Sequence, residues 1–453
     1  MSKGITVNVR HDQDRTNESL QRAVDAVAEA GGGVVEIPAG TYRMQDALHL
    51  RNGVRLVGEP GTVLQKIPSV TSPLLDYIGY GHYEFTVTEP ETFRVGMGVH
   101  IHDDHSNGFY DTVATIIARQ GDLFFIDRML NHDYHPSHNG RVTSLFPLIE
   151  GWNVAEAAVE NLTLDGNPEE TRALNGCRGG GVFLLQCRRV RLEGIEVRHY
   201  NGDAISFQQC ADILIRRCYL HDNTGSGLHP GSGSVRYVME GNAVHDNGGF
   251  GVFYCLRTTH SICAENRLEA NGAAGISIGE RDTDHLIRGN RIVGNQLQGI
   301  AFRRPAVQGG DRIRIEANTI GPNCRGAAEQ ETGIARIHRG VPGRTTARRG
   351  DAEYEICIAG GLHNIAILDN TFAPGKGPAL SVAAGCTGIY FAGNTIAGRA
   401  QEPTDIVGDS AAVQTVQMEA PADFPSVGPS ALPLDGARHL NIAALPVWRE
   451  ART

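Results

Sequence analysis

The fold is decided by a stretch in the middle of the chain that reads Gly227-Leu-His-Pro-Gly-Ser-Gly-Ser-Val-Arg-Tyr-Val-Met-Glu-Gly-Asn-Ala-Val-His-Asp-Asn247. The same pattern returns on both sides of it: a small residue, a short apolar strand, a second strand and an asparagine. The opening residues recur about every 24 residues, at Gly181, Ala204, Gly227, Gly251, Gly275 and Gly299. Such a period indicates a solenoid, in which each repeat forms one coil and the coils stack about 4.8 Å apart.

Two columns of asparagine run through the repeats. One contains Asn201, Asn223, Asn247, Asn271 and Asn295, and the other contains Asn242, Asn266, Asn290 and Asn318. Asparagine tolerates the left-handed backbone of a sharp corner, and amides stacked on successive coils can hydrogen-bond along the axis. Short strands, such corners and a fixed period together predict an all-β parallel β-helix.

The repeat is strongest between residues 149 and 400, and the flanking segments differ from it. Apolar residues at helical spacing follow Thr16-Asn17, which predicts a capping helix that begins a unit of residues 1–80 together with the first coils. Residues 81–148 break the period and alternate apolar with polar side chains, which predicts a small inserted β-subdomain. Residues 401–453 have lost the repeat and are interpreted as a C-terminal tail or cap.

The composition excludes several classes of function. The 453 residues carry 51 acidic and 41 basic side chains, a net charge of −10, so a nucleic-acid partner is not expected. No apolar run reaches the length of a membrane span, and the start of the chain lacks the apolar core of a signal peptide. We therefore expect a cytoplasmic protein without a membrane partner, although a secreted chain trimmed of its signal would look the same. Nine cysteines without a CxxC pair favour reduced thiols.

The sequence after the predicted helix, Gly31-Gly-Gly-Val-Val-Glu-Ile-Pro-Ala-Gly-Thr-Tyr42, resembles the N-terminal signature of the pectin-lyase-like superfamily. This superfamily of right-handed parallel β-helix proteins includes polygalacturonases, pectate lyases and alginate-modifying enzymes. Gly202-Asp203-Ala-Ile-Ser206 is similar to a Gly-Asp-Asp strand of the polygalacturonases, with Ala204 in place of the second Asp. Ser226 stands where those enzymes have a Gly-His-Gly histidine. The resemblance implies a right-handed, single-stranded β-helix that acts on acidic or neutral glycans.

The first strand of each repeat predicts a binding surface. Its second residue is apolar throughout, so the residues on either side are expected to face away from the core. This outward strip combines aromatic rings, hydroxyls, an amide and guanidinium groups, as a sugar subsite does, and we expect an exposed groove there. The predicted substrate-binding residues are Phe183, Ser206, Gln208, Ser232, Phe253, Arg281 and Arg303.

Four residues are predicted to be catalytic. Asp203, at the entry to its strand, can act as a general acid or base, and the alternative is a carboxylate that only caps a corner. His229 occupies the outward row one coil later. Glu280 and Asp282 leave the strand two coils beyond His229, and the alternative for them is a salt-bridged turn.

The leading hypothesis is a glycoside hydrolase that uses carboxylate acid/base chemistry on an oligosaccharide or polysaccharide. One alternative is a polysaccharide lyase or uronate epimerase, in which His229 or an arginine abstracts a proton. Another is a glycan-binding β-helix without catalysis. No cofactor or metal is predicted, because the histidines of the insertion match no zinc spacing. β-Helices often associate side by side, so a homo-oligomer is possible.

Overall fold

The computed structural model describes residues 5–8, 16–106, 110–167, 172–303, 310–325, 354–375, 377–397, 406–408 and 416–417. These residues form three long parallel sheets that run the length of a β-solenoid, and they include one α-helix, Asn17–Glu29. Each complete coil contributes one strand to each sheet in turn. The predicted parallel β-helix is therefore confirmed.

The front sheet contains the first strand of each repeat, on which the outward strip was predicted. Its eleven strands are Leu48–His49, Ile149–Trp152, Val182–Leu185, Ile205–Gln208, Leu228–Gly231, Val252–Phe253, Ile276–Ile278, Ile300–Phe302, Ile356–Ile358, Leu380–Val382 and Ile406–Gly408.

The back sheet contains the second strand of each coil. Its thirteen strands are Ile5–Asn8, Gly33–Ile37, Val54–Gly58, Ala158–Glu160, Arg188–Glu193, Ala211–Arg216, Val235–Glu240, Thr259–Ala264, Thr283–Arg288, Asp311–Glu316, His363–Leu368, Thr387–Ala392 and Val416–Gln417. One front-sheet strand, Ile406–Gly408, and one back-sheet strand, Val416–Gln417, lie beyond residue 400. The coils therefore continue past the predicted end of the repeats.

The side sheet closes each coil. Its eleven strands are Gly40–Met44, Thr62–Lys66, Thr163–Asp165, Glu196–Arg198, Tyr219–His221, Ala243–His245, Arg267–Glu269, Arg291–Val293, Thr319–Ile320, Thr371–Phe372 and Thr395–Ile396.

The core lies inside the coils. The apolar column identified in the sequence is fully buried at every position: Val182, Ile205, Leu228, Val252, Ile276 and Ile300. The capping helix closes the N-terminal end by burying Leu20, Val24 and Val27, and the Thr16 side chain accepts a hydrogen bond from the Ser19 backbone as its N-cap. No described helix is long and apolar enough to cross a membrane.

The asparagine columns form two continuous ladders inside the corners. In the first, each amide from Asn223 to Asn295 donates to the next at 2.9–3.0 Å and ends on Asn323. The second runs from Asn242 to Asn394 with the same spacing. Asn201 is an exception: the Asn223 side chain accepts from the backbone of Tyr200, so Tyr200 occupies that column and Asn201 lies one residue beyond it.

The inserted subdomain is a separate six-stranded sheet with its own core. Its strands pair in the order Thr71–Pro73, Arg141–Thr143, Gly98–His102, Thr112–Gln120, Leu123–Ile126 and Glu84–Thr86, all antiparallel, and two 3-10 turns lie at Pro90–Thr92 and Pro136–His138. Because Thr71–Pro73 belongs to this sheet, the insertion begins before the predicted boundary at residue 81. It lies beside the first coils of the front sheet, where Gly98 donates its backbone N–H to Gln45.

Substituting Asn247→Ala should test the energetic weight of the ladders. The Asn247 side chain donates to Leu220 and Asn271 and accepts from Asn223, all inside the corner. Its removal takes a hydrogen bond from each of three buried polar groups, and we expect the free energy of unfolding to fall by about 2 to 4 kcal/mol. Arg267→Ala, which removes an exposed ion pair in the next coil, should cost less than about 1 kcal/mol. If chemical denaturation shows equal losses of unfolding free energy in the two variants, the ladder contributes no more to stability than an exposed ion pair.

Candidate functional site

The outward row of the front sheet is confirmed in register but is not an open groove. Glu150, Phe183, Ser206 and His229 lie on successive coils. The expectation of exposed aromatic rings was wrong, because Phe183 is 2% and Phe253 is 5% exposed. In this part of the row, residues 172–181 lie against the sheet and cover it.

The covering segment is anchored by two residues predicted to bind substrate. The backbone oxygen of Gly176 accepts hydrogen bonds from the Ser206 hydroxyl at 2.5 Å and from the Gln208 amide at 3.2 Å. A side chain at Gly176 would collide with Asp203 and His229, since an added Cβ would lie 1.9 and 2.2 Å from their polar atoms. Ser206 and Gln208 are therefore occupied with the protein itself.

Asp203 and His229 form a direct pair beneath this segment. The His229 Nδ1 lies 2.6 Å from the Asp203 carboxylate, whose other oxygen accepts the backbone N–H of Ser226. Burial lowers the pKa of His229, but the hydrogen bond to Asp203 and the neighbouring Cys255 outweigh burial and raise it to about 9. The sequence predicted both residues, and the structure brings them together.

Two cysteines complete this cluster, and sequence reasoning missed both. Cys177 follows Gly176 in the covering segment, and Cys255 comes from the coil after His229. One ligand atom from each of Cys177, His229 and Cys255 lies within 4.8 Å of the other two. The Cys177 thiol and the His229 imidazole hold the pKa of Cys255 well below its usual range. The hydrogen bond to Cys255, together with burial, raises the pKa of Cys177. The available signal was a cysteine on the predicted outward row.

No described contact joins the turn from Glu280 to Asp282 to the Asp203–His229 pair. Asp282 is fully buried at a corner, where its carboxylate accepts from Gly279 and from the backbone and hydroxyl of Thr258. Burial raises its pKa to about 6. Glu280 instead pairs with Arg281 at 3.0 Å. Glu280 and Arg281 thus form the salt-bridged turn that was the alternative to catalysis. Asp282 accepts the hydrogen bonds of backbone and hydroxyl donors at the corner.

Arg303 and Ser232 are the remaining residues that were predicted to bind substrate. Arg303 stacks on the Phe253 ring at 4.4 Å and donates to Ser277 and to the backbone oxygens of Tyr254 and Cys255. Ser232 is half-buried in the turn after its strand, with a φ of 41°. Substrate binding by either residue stays a prediction.

A small depression lies further toward the N-terminus on the same row. It forms where the first two front strands meet the insertion, and its polar groups are Asp46, His49, Thr115, Arg128 and Glu150. His49 and Glu150 are register partners on adjacent coils, while Thr115 and Arg128 come from the insertion. We call this site the Glu150 depression. Sequence reasoning missed it because the insertion separates its two coils by about 100 residues.

Two carboxylates in the Glu150 depression share one imidazole. The His49 Nδ1 lies 3.1 Å from Glu150 and its Nε2 lies 3.4 Å from Asp46. Arg128 binds both oxygens of Glu150, and the Thr115 hydroxyl donates to Asp46 at 2.8 Å. At the edge, the Arg128 guanidinium stacks 4.2 Å from the ring of Trp152, which is 43% exposed.

The charges of the depression are fixed by these contacts. Burial lowers the pKa of His49, but the hydrogen bonds to Asp46 and Glu150 outweigh it and raise the pKa to about 9. Burial raises the pKa of Glu150, but Arg128 and His49 outweigh it and lower the pKa to about 2. At neutral pH the site therefore holds an imidazolium and an ionised glutamate side by side.

The His49 contacts predict a specific dependence of stability on pH. Its folded pKa of about 9 lies above the ordinary 6.5, so its contribution is complete below about pH 6.5 and is lost as the pH rises through 9. The difference corresponds to at most about 3 kcal/mol. The stability gap between wild type and His49→Gln should shrink by up to that amount between pH 6 and pH 10 in denaturant titrations. Parallel profiles would contradict the assignment.

Comparison with known proteins agrees with this architecture. The family model described as "Right handed beta helix region" matches residues 148–320. A comparison with curated protein sequences finds no match. The structure is similar to the A-module of the mannuronan C-5 epimerase AlgE6 from Azotobacter vinelandii, with 17% identity, a TM-score of 0.57 and coverage of 91% of this chain and 88% of that one.

Two further solved structures share the fold at low identity. The exopolygalacturonase of Thermotoga maritima is 13% identical with a TM-score of 0.50, over 86% of this chain and 87% of that one. The Dettilon tailspike protein is 13% identical with a TM-score of 0.51, over 91% of this chain and 68% of that one. The right-handed parallel β-helix fold that the resemblance implied is therefore confirmed.

Proposed function

We propose that this β-helix protein is a carbohydrate-active enzyme, a glycoside hydrolase that cleaves its glycan in the Glu150 depression. The observation that carries the proposal is the pair of carboxylates, Asp46 and Glu150, held by one partly exposed imidazole in a small depression. Glycoside hydrolysis needs two carboxyl groups on either side of the scissile bond. The similarity to a polygalacturonase, an epimerase and a tailspike supports the fold on which the proposal rests.

The edge of the depression provides a surface for a sugar ring. Trp152 exposes nearly half of its surface, and Arg128 fixes the indole from one side. Sugar rings carry apolar C–H faces that pack on aromatic rings, while their hydroxyls hydrogen-bond to charged groups. A glycan lying on Trp152 would place the next glycosidic bond beside Glu150, which precedes Trp152 by two residues on the same strand and the same face.

The two carboxylates have different environments and hence different roles. Glu150 stays ionised at neutral pH because Arg128 and His49 bind it, so it is suited to stabilise positive charge on the sugar ring. Asp46 is contacted by the Thr115 hydroxyl and by His49. We assign it the role of giving a proton to the leaving oxygen or taking one from water. His49 joins both carboxylates and carries a proton at neutral pH.

The state of the arginines favours hydrolysis over elimination or epimerisation. Both of those reactions need a cation that binds the carboxylate of a uronic acid. Arg128 already holds Glu150, Arg303 donates to two backbone oxygens and the Ser277 hydroxyl, and Arg281 pairs with Glu280. Asp203 and His229 lie beneath the covering segment, outside the Glu150 depression. Glycan binding without cleavage, a cytoplasmic location and a homo-oligomer stay predictions.

Glu150→Gln should abolish most of the activity. Purified protein is incubated with neutral and uronic-acid oligosaccharides, and new reducing ends are measured together with the ultraviolet absorbance of unsaturated uronates. Reducing ends without absorbance are expected from wild type, and the variant should lower kcat by about 100-fold or more because the charge beside the sugar is lost. Glu160→Gln is the matched control, since Glu160 is also a buried glutamate bound by arginines, Arg55 and Arg191, on the back sheet.

Two outcomes would refute this proposal. One is a Glu150→Gln enzyme that turns over normally while remaining folded. The other is unsaturated product, which would indicate elimination and return attention to the lyase alternative.

Replacing Trp152 should affect binding more than chemistry. Trp152→Ala removes the exposed ring, and we expect KM to rise about tenfold while kcat changes little, because stacking contributes equally to the bound substrate and the transition state. Trp152→Phe should restore most of the affinity. A loss confined to kcat in Trp152→Ala would contradict the assignment of Trp152 as a stacking surface.

A further inference from the structure

We propose that Cys177, His229 and Cys255 form a binding site for a thiophilic metal ion, Zn²⁺ in the first place. This inference goes beyond the proposed function and uses none of the residues of the Glu150 depression. It concerns the cluster beneath the covering segment, about three coils or roughly 14 Å along the same row. Among the described residues, this is the one group of three or more potential ligands with atoms so close together.

The geometry of the three ligand atoms suits such an ion. They lie within 4.8 Å of one another. All three residues are buried, with exposed fractions of 8% for Cys177, 4% for His229 and 6% for Cys255. A zinc ion bound by sulfur at about 2.3 Å and by nitrogen at about 2.1 Å holds its ligand atoms within about 4 Å of one another. Side-chain adjustments of less than about an ångström would therefore close the site around an ion.

The orientation of His229 is the second, independent observation. Asp203 occupies the Nδ1 at 2.6 Å, so Nε2 is the nitrogen that faces the cysteines. This Nε2 is buried and has no hydrogen-bond partner. A buried ring nitrogen without a partner is unfavourable, and a metal ion would satisfy it. A histidine whose other nitrogen binds a carboxylate is the usual arrangement at metal sites, where the carboxylate orients the ring.

The ligand types of the cluster also fit a divalent metal ion. Two thiolates neutralise one divalent ion, so the occupied site carries no net charge from ion and sulfurs. Sulfur and imidazole ligands select Zn²⁺ or another thiophilic metal over Mg²⁺ or Ca²⁺.

The covering segment is built to place Cys177. Ser206 and Gln208 hold the backbone oxygen of Gly176, and Leu174 forms a bridge to Gly202. Glycine at position 176 lets the segment approach Asp203 and His229 closely, because any side chain there would collide with both. The segment thus brings a cysteine to the two coils that supply His229 and Cys255. Three protein ligands leave one position for water or another ligand.

Metal analysis of the full chain tests the proposal. The protein is produced with added zinc and purified in a reducing buffer without chelator, and its metal content is measured by mass spectrometry. We expect about one zinc ion per chain, and near-zero content in Cys177→Ser and Cys255→Ser. Cys218→Ser is the matched control, because Cys218 is equally buried and donates to two backbone oxygens as serine would. Its zinc content should match wild type.

Cobalt substitution gives a readout that does not depend on activity. Co²⁺ bound by two cysteines should produce intense thiolate-to-metal absorption in the near ultraviolet and the visible bands of a tetrahedral ion. Each single cysteine variant should lose about half of the thiolate absorption or fail to bind. Spectra of cobalt-loaded protein that lack thiolate absorption would overturn the assignment of the ligands.

Two variants keep all three ligands and test their positioning. Asp203→Asn should weaken zinc binding by about 10- to 100-fold in competition with a coloured chelator, because the orienting carboxylate is lost. Gly176→Ala should weaken binding as well, since the added methyl group displaces the segment that carries Cys177. Circular dichroism establishes that both variants are folded. Wild-type affinity in both would overturn the proposed geometry.

Two results for the wild type would overturn the proposal itself. One is a Cys177–Cys255 disulfide, found by mass spectrometry of protein alkylated without reduction, with no metal present. The other is a pair of free thiols that alkylate readily and bind neither zinc nor cobalt.

Discussion

The structure depends on the register between successive coils. Parallel backbone pairing fixes the spacing of the coils, and the two asparagine ladders lock the corners, because each amide both donates to and accepts from its neighbours. Residues at equivalent positions therefore lie directly above one another at about 4.8 Å. A one-residue slip would bury the outward row and expose the core column, so the ladder and the apolar column enforce the same register.

That register creates functional sites from residues that are distant in the sequence. His49 and Glu150 are neighbours on the front sheet although the whole insertion separates them. His229 and Cys255 lie on adjacent coils, and a loop supplies Cys177. In both places the front sheet provides a rigid row of side chains, and a non-repeating segment completes the site from outside. The insertion borders the Glu150 depression and leaves His49 and Arg128 partly exposed, whereas residues 172–181 cover the cysteine cluster.

The same difference in covering explains the different chemistry of the two sites. In the Glu150 depression, a partly exposed imidazole and guanidinium keep a glutamate ionised, which suits reaction with a soluble substrate. Beneath the covering segment, a histidine nitrogen and two thiols are removed from water and have few partners other than each other. Burial of that kind is tolerated when an ion or a proton shared among the groups balances their charges.

The solenoid follows from the amino-acid sequence alone, because the period, the apolar column and the corner asparagines are all local patterns. The sequence also placed Asp203 and His229 on adjacent coils, since both positions follow from the repeat. It placed Asn201 in the wrong column, treated Phe183 and Phe253 as exposed, and assigned Ser206 and Gln208 to a substrate. The repeat defines which way a side chain points but not what lies over it. The position of the insertion and of residues 172–181 follows only from tertiary packing, and that packing formed the Glu150 depression, covered the cluster around His229 and brought Cys177 to His229 and Cys255.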